Sequence, residues 1–244
     1  MHIKAIKTHR IDQHNSLQET LDQYITQVSN EDILLITSKI LSIMQGRLIR
    51  KEAIEKYALI CQEADAVLES DQNPYDLYLT IKNGILIPSA GIDESNGDGV
   101  YILYPENIQK TATWIWSYLK EKHHIQKLGI VITDSHTTIM RRGVTGIALG
   151  WCGFTPLYSY INKPDLYGNP LRVTQVNILD SLATAAVFVM GEGNEQTPFS
   201  IIKDAPKISF LDRPPTLEEE ESIKIPMDED LYAPLLMGAK WIKT

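Results

Sequence analysis

Cysteine is scarce in this chain: two of 244 residues, Cys61 and Cys152, far apart and without a CxxC spacing. That scarcity excludes a disulfide framework and a cysteine zinc site, and it accords with a reducing compartment. Basic charge is in deficit, with 23 Lys and Arg against 31 Asp and Glu. A surface of that sign lacks a nucleic-acid footprint and is repelled by anionic membranes, so no nucleic acid and no membrane is expected, and small molecules are the expected partners. Long apolar runs are missing too. The longest largely apolar stretch, Leu182 to Met190, is too short to span a bilayer, and the first residues are polar rather than signal-like. A cytoplasmic location is therefore expected. Neither a Walker-type glycine loop ending in Gly-Lys-Ser/Thr nor a GxGxxG fingerprint occurs, so a nucleotide bound here is held in some other way.

What is present is an ordinary globular composition, 43% apolar and 22% charged, long enough for a sizeable core. Elements of both periods alternate. Ile3 to Ile6 has the pattern of a short strand, and Ser16 with Glu19 forms a capping box ahead of Leu17, Leu21, Ile25 and Val28, predicting a helix over 17–29. Asp32 to Ile36 is a compact apolar strand that delivers Thr37, Ser38 and Lys39 at its carboxyl end, where ligands of open sheets bind. Lys39 is either a phosphate ligand or a surface lysine following a strand. A helix is expected over 52–68, ended by the polar stretch around Pro74, then a hairpin whose arms, 77–82 and 85–88, flank Asn83-Gly84. Residues 101–104 follow as a strand, 107–124 as an amphipathic helix and 128–133 as a strand. His123 and His124 end that helix; neighbours diverging by about 100° suit one metal ion poorly and fit a contact with the helix dipole better. Residues 176–190 are expected as a buried helix stopping at Gly191, and Ile201 with Ile202 as a last core strand. In the tail, Thr216 and Glu219 cap a solvated helix, and Leu231 to Leu236 are apolar enough to dock on the body or on a second subunit.

Three polar segments carry the chemistry. The strand through Ile130, Val131 and Ile132 ends in Asp134 and Ser135, and Arg141 and Arg142 follow in what is expected to be one loop. A carboxylate with a hydroxyl suits a hard divalent cation, while paired guanidinium groups grip phosphate or carboxylate oxygens, so the segment points to phosphoryl chemistry. Ser89 to Asn96 joins small residues, which let backbone approach a ligand, to Asp93 and Asn96; a solvated turn is the alternative reading of the same composition. Met190-Gly191-Glu192-Gly193-Asn194 joins a flexible backbone to one acid.

Taken together and in order, Ser89-Ala90-Gly91-Ile92-Asp93-Glu94-Ser95-Asn96, Ile132-Thr133-Asp134-Ser135, Arg141-Arg142-Gly143, Pro164-Asp165-Leu166-Tyr167-Gly168 and Met190-Gly191-Glu192 resemble the coenzyme F420-0:L-glutamate ligase family, over roughly residues 1–205. The resemblance implies an unusual α+β fold of two lobes, with mixed and antiparallel sheets and a nucleotide groove between them, in an intertwined homodimer. It implies two divalent cations, Mg2+ or Mn2+, with GTP (or ATP) as co-substrate, and the attachment of L-glutamate to a carboxylate. Carried over by position, Asp93, Asp134, Ser135 and Glu192 are the metal-binding set. Ser38, Lys39, Asn96 and the loop containing Met190, Gly191 and Gly193 are the nucleotide contacts. Arg141 and Arg142 are candidates, on chemistry alone, for steadying the substrate carboxylate or the transferred phosphoryl group, and stand with Asp93 and Asp134 as the catalytic set.

Departures from the family pattern bear on the acceptor. Ile43 stands where a second lysine usually follows the Ser-Lys block, which takes away one basic phosphate contact. Asp134-Ser135-His136-Thr137-Thr138 replaces a stretch that usually continues Phe-Gly-Arg, so a base is lost and His136 gained, as a catalytic group, a substrate-reading group or a satisfied loop residue. With the tail, these changes look like a side branch regarded as folate γ-glutamyl ligases. The expected organisation is a ligase-like catalytic domain over 1–208 and an extension over 209–244 that packs on the body or the dimer partner. The expected reaction is γ-glutamyl ligation with a folate or F420-0 as acceptor. A non-catalytic nucleotide-binding or metabolite-sensing homologue is the alternative.

Overall fold

The computed structural model describes residues 1–70 and 75–244, so Pro74 lies outside the described residues. In chain order the elements are β1 (His2–Ile6), α1 (Leu17–Tyr24), β2 (Asp32–Thr37), α2 (Ser38–Met44), β3 (Leu48–Arg50), α3 (Lys56–Glu63), β4 (Ala66–Leu68), β5 (Leu79–Lys82), β6 (Ile85–Pro88) and β7 (Val100–Ile102). There follow α4 (Ile108–His123), β8 (Leu128–Thr137), β9 (Val144–Cys152), β10 (Leu157–Ser159), β11 (Gln175–Asn177), α5 (Ile178–Met190), β12 (Phe199–Lys203), α6 (Leu217–Glu221), α7 (Ala233–Leu236) and β13 (Trp241–Lys243). No helix among the described residues is long and apolar enough to cross a membrane.

The main sheet runs β1-β12-β2-β8-β9, with β2 and β8 parallel and the other pairs antiparallel. The near-continuous apolar run of β2 is explained by its burial on both faces. Leu34 and Ile36 pack with Ala112, Ile115 and Leu119 of α4, whereas Ile33 and Leu35 pack with Leu179, Ala183 and Ala186 of α5. Alternation of side chains across one strand thus builds two cores, with helices on both sides of the sheet. α5 approaches β9 at Gly146, where a Cβ would lie 2.3 Å from the Ala183 carbonyl oxygen, so only glycine admits the helix there.

A second sheet, β13-β4-β5-β6, carries a small core of Ile60, Ala64, Val67 and Ala90. Its β5–β6 hairpin turns at Asn83 (φ 54) and Gly84 (φ 76), the left-handed pair that an Asn-Gly loop supplies. Residues 209–244 reach both sheets' surroundings: Phe210 bridges Phe154, Leu211 N–H donates to the Gly153 carbonyl, and β13 pairs with β4. The Thr216–Glu219 capping box closes reciprocally at the start of α6.

Several boundaries differ from expectation. α1 stops at Tyr24 rather than near 29, because β-branched Ile25 and Thr26 follow; Ile25 and Val28 reach the core from irregular backbone instead. The 52–68 segment is a short 3-10 turn (Lys51–Ala53), α3 and then β4, since pairing with β5 and β13 outweighs the helical propensity of its alanines. The strand expected over 101–104 ends at Ile102, leaving Tyr104 buried beyond it. β8 continues to Thr137 because β9 pairs with it over its whole outer half, past a register shift between Ile132 and Thr133.

Candidate functional site

Parallel pairing sets Thr37 of β2 opposite Thr133 of β8, so the carboxyl ends of both strands open at one place, next to the start of α2 and the end of α5. A cavity of about 560 Å³ lies there, lined by Lys39, Asp93, Asn96, Asp134, Ser135, Met190, Gly191, Glu192 and Gly193 among others. Five stretches well separated in sequence, within 8–11, 37–43, 93–98, 133–135 and 187–198, thus meet at one groove. Ser38 is buried in the first turn of α2 and does not line it.

Asp93 reaches the groove through a strained turn. Ser89, Ala90 and Gly91 have φ of 51, 55 and 72°, a left-handed run that non-glycine residues enter at a cost. The run is held by Ser89 N–H donating to the Tyr78 carbonyl (2.6 Å) and by Ala90 N–H donating to Thr80 Oγ1 (2.8 Å). Asp93 leaves it paired through its backbone with Ile102 in both directions, at 2.9 and 2.8 Å. Gly91 is fixed twice over, since a Cβ there would also lie 2.2 Å from the Tyr104 ring.

The polar groups are already connected. Lys39 Nζ lies 2.6 Å from Asp93 Oδ2 and donates to Ser95 Oγ at 2.9 Å, while Ser95 N–H donates to Asp93 Oδ1 at 2.7 Å. Asn96 Nδ2 donates to the Gly193 carbonyl at 3.0 Å and ties the Asp93 loop to the loop after α5. Ser135 Oγ donates to Glu192 Oε2 at 2.7 Å, and Ser135 N–H donates to Asp134 Oδ1 at 2.8 Å.

Electrostatics separate the two aspartates. Burial raises the proton affinity of both. At Asp93 the Lys39 ammonium and the Ser95 donors outweigh burial, and its carboxyl is held below the usual range. Asp134 is pushed up to about 7 by burial and by the charge of Asp93, against the opposing donors Ser135 and Tyr104. The Tyr104 hydroxyl is buried, lies beside the Asp134 carboxyl without a hydrogen bond of regular geometry, and is raised well above its usual value by burial and by that charge.

Among the described residues no three His, Cys, Asp or Glu side chains stand close enough together to ring a metal ion. The donor chemistry nonetheless suits a hard cation: the carboxylates of Asp93, Asp134 and Glu192 and the Ser135 hydroxyl are all oxygen ligands, and Lys39, the lysine of this cluster, pairs with Asp93.

Arg141 and Arg142 are not brought to the groove. They are exposed on the turn joining β8 to β9, and β8's extra residues carry that turn roughly 10 Å beyond Asp134 at about 3.3 Å per residue. His136 lies within β8 outside the cavity lining; its buried Nδ1 has no hydrogen-bond partner among the described residues, and burial lowers its proton affinity. Conversely, Thr8, His9, Arg10 and Ile11 line the cavity although nothing in their local pattern marks them. Their place follows from the pairing of β1 with β12, which brings Thr8 N–H to the Gln196 carbonyl at 2.8 Å.

The family model described as F420-0:gamma-glutamyl ligase matches residues 5–204. A coenzyme F420:L-glutamate ligase of Methanosarcina mazei is 34% identical over 192 residues, covering 72% of this chain and 75% of the relative. The proteins of that name from Methanocaldococcus jannaschii and Methanococcus maripaludis strain S2 are 32% and 31% identical, each covering 78% of this chain and 81% and 82% of the relative. With a match that runs from β1 through β12 and takes in every wall of the groove, the chain belongs to the F420-0:gamma-glutamyl ligase family.

Proposed function

We propose that this protein is a γ-glutamyl ligase that depends on a nucleotide, GTP or ATP, and on a divalent metal, Mg2+ or Mn2+, and that couples L-glutamate to the carboxylate of a folate or of F420-0. The observation that carries this reading is the convergence of Lys39, Asp93, Asp134, Ser135 and Glu192 on one groove at the carboxyl ends of β2 and β8. In the reaction, an oxygen of the acceptor carboxylate attacks the γ-phosphorus, giving an acyl phosphate and releasing the nucleoside diphosphate. The glutamate amine then attacks the acyl carbon, inorganic phosphate leaves, and the nitrogen gives up a proton to solvent. Lys39 supplies positive charge to the phosphate oxygens, and Asn96 with the Gly191–Gly193 backbone positions the nucleotide. Asp93, Asp134, Ser135 and Glu192 would hold the metal ions. Metal ions so bound neutralise the triphosphate and the charge that develops during transfer.

A folate is favoured as acceptor by the departures at Ile43 and His136. A homodimer is supported by the segment between β10 and β11, where Leu166, Tyr167 and Val173 are 100%, 89% and 84% exposed. The second reading, a nucleotide-binding sensor without turnover, draws on Ile43, an apolar side chain lining the groove. Incubation with GTP or ATP, Mg2+ or Mn2+, glutamate and each acceptor, followed by mass spectrometry and phosphate assay, separates the two. Glutamyl addition with phosphate release is expected; thermal stabilisation by nucleotide without either product favours the sensor.

A further inference from the structure

Tyr104 has no role in the family resemblance or in the proposed reaction and does not line the groove, yet it is held firmly beside Asp134, which does. Arg47 holds the backbone there twice: Leu103 N–H donates to the Arg47 carbonyl at 3.0 Å, and Arg47 Nε donates to the Tyr104 carbonyl at 3.2 Å. The same guanidinium is anchored by Glu63 at 3.0 Å. The ring lies flush on Gly91, in the turn that delivers Asp93, so a single side chain touches the turn behind one aspartate and stands beside the other. The hydroxyl is buried beside the Asp134 carboxyl, with no hydrogen bond of regular geometry among the described residues. Packing does not explain that oxygen, because a phenylalanine ring would fill the same space on Gly91 without burying an unsatisfied donor.

We propose that Tyr104 is a positioning residue, whose hydroxyl donates to the Asp134 carboxylate once a cation engages that group and so fixes which oxygen lone pairs face the groove. Ser135 N–H already occupies one side of Oδ1. A carboxylate offers about four acceptor positions, so two protein donors still leave room for a cation. Outer hydrogen bonds of this kind orient ligating carboxylates and are commonly worth about 10- to 100-fold in metal affinity. The proposal rests on the reading of Asp134 as a cation-binding group.

The test uses the full chain, stripped of metal and free of nucleotide, titrated with Mn2+ and followed by the electron paramagnetic resonance of the free ion. Tyr104→Phe is expected to melt within about 5 °C of the unsubstituted protein and to bind Mn2+ about 10-fold or more weakly. Mn2+ is also expected to produce a tyrosine near-ultraviolet difference band in the unsubstituted protein that Tyr104→Phe lacks. Unchanged Mn2+ affinity in Tyr104→Phe, or a larger fall in melting temperature, overturns the proposal. Asp134→Asn is measured alongside. Full Mn2+ binding by that variant places the failure in the assignment of Asp134 itself, whereas loss of binding there with none in Tyr104→Phe rejects the role of the tyrosine alone.

Discussion

Burial holds the Asp134 carboxyl at about 7, far above a free aspartate, so the folded protein binds this proton more tightly than the unfolded chain does. In the metal-free protein, stability from this group is fully present below the unfolded value near 3.8 and is lost as pH rises through about 7. Asp134→Asn should therefore raise the melting temperature at pH 8 by several degrees, at roughly 2–4 °C per kcal/mol, and should abolish turnover. Melts at pH 4 and pH 8 check the sign, because the gain should vanish at pH 4. Gly91→Ala works in the opposite direction: the new methyl group meets the Tyr104 ring and a left-handed backbone at once, costing roughly 2–3 kcal/mol in chemical denaturation. At this scale local motifs were a good guide. The residue types of Asp93, Asp134, Ser135 and Glu192 announce oxygen chemistry wherever the fold puts them, and the groove gathers all four. Arg141 and Arg142 announce anion binding just as loudly, but where β8 ends depends on its pairing with β9, which no local pattern encodes.

Elements whose identity rests on their own residues were legible, and elements defined by a distant partner were not. The Asn83-Gly84 hairpin and the capped starts of α1 and α6 follow from side chains within a few positions. β4 exists only because β5 and β13 flank it, and α2 packs a seven-residue helix directly after β2 where the sequence suggested simply a strand end. One ion network joins such elements. Glu63, at the end of α3, accepts from Arg47 at 3.0 Å and from Lys82 of β5 at 2.9 Å. Burial raises this carboxyl, but Lys82 and Arg47 outweigh it and hold it below its usual value. Stability from Glu63 is consequently present above the unfolded value near 4.5 and is lost as pH falls through the lower folded one. Glu63→Gln should cost roughly 2 kcal/mol at pH 7, with the difference from the unsubstituted protein shrinking in acid; urea unfolding at pH 7 and pH 3.5 measures both.

At the scale of the whole molecule, the groove and the C-terminal extension are separable. The residues lining the cavity lie between Thr8 and Pro198, whereas the extension contributes β13 to the far edge of the second sheet. β13 pairs with β4 from Trp241 opposite Leu68 to Lys243 opposite Ala66, and Trp241 Nε1 donates to the Leu236 carbonyl at 2.8 Å. Removing Trp241–Thr244 leaves β4, a three-residue strand, as a bare edge with unpaired backbone groups. The shortened chain should melt several degrees lower and precipitate at lower protein concentration, since an open edge invites pairing with another copy. Nucleotide should nevertheless raise its melting temperature by the same increment as in the full chain, because ligand stabilisation depends on affinity for the folded groove rather than on baseline stability. Thermal shift at matched GTP concentrations on the two proteins decides the matter. An unchanged baseline would mean that β13 contributes nothing to the second sheet, while a reduced nucleotide increment would mean that the second sheet transmits its order to the groove, through the Ser89–Gly91 turn that leaves β6 and carries Asp93.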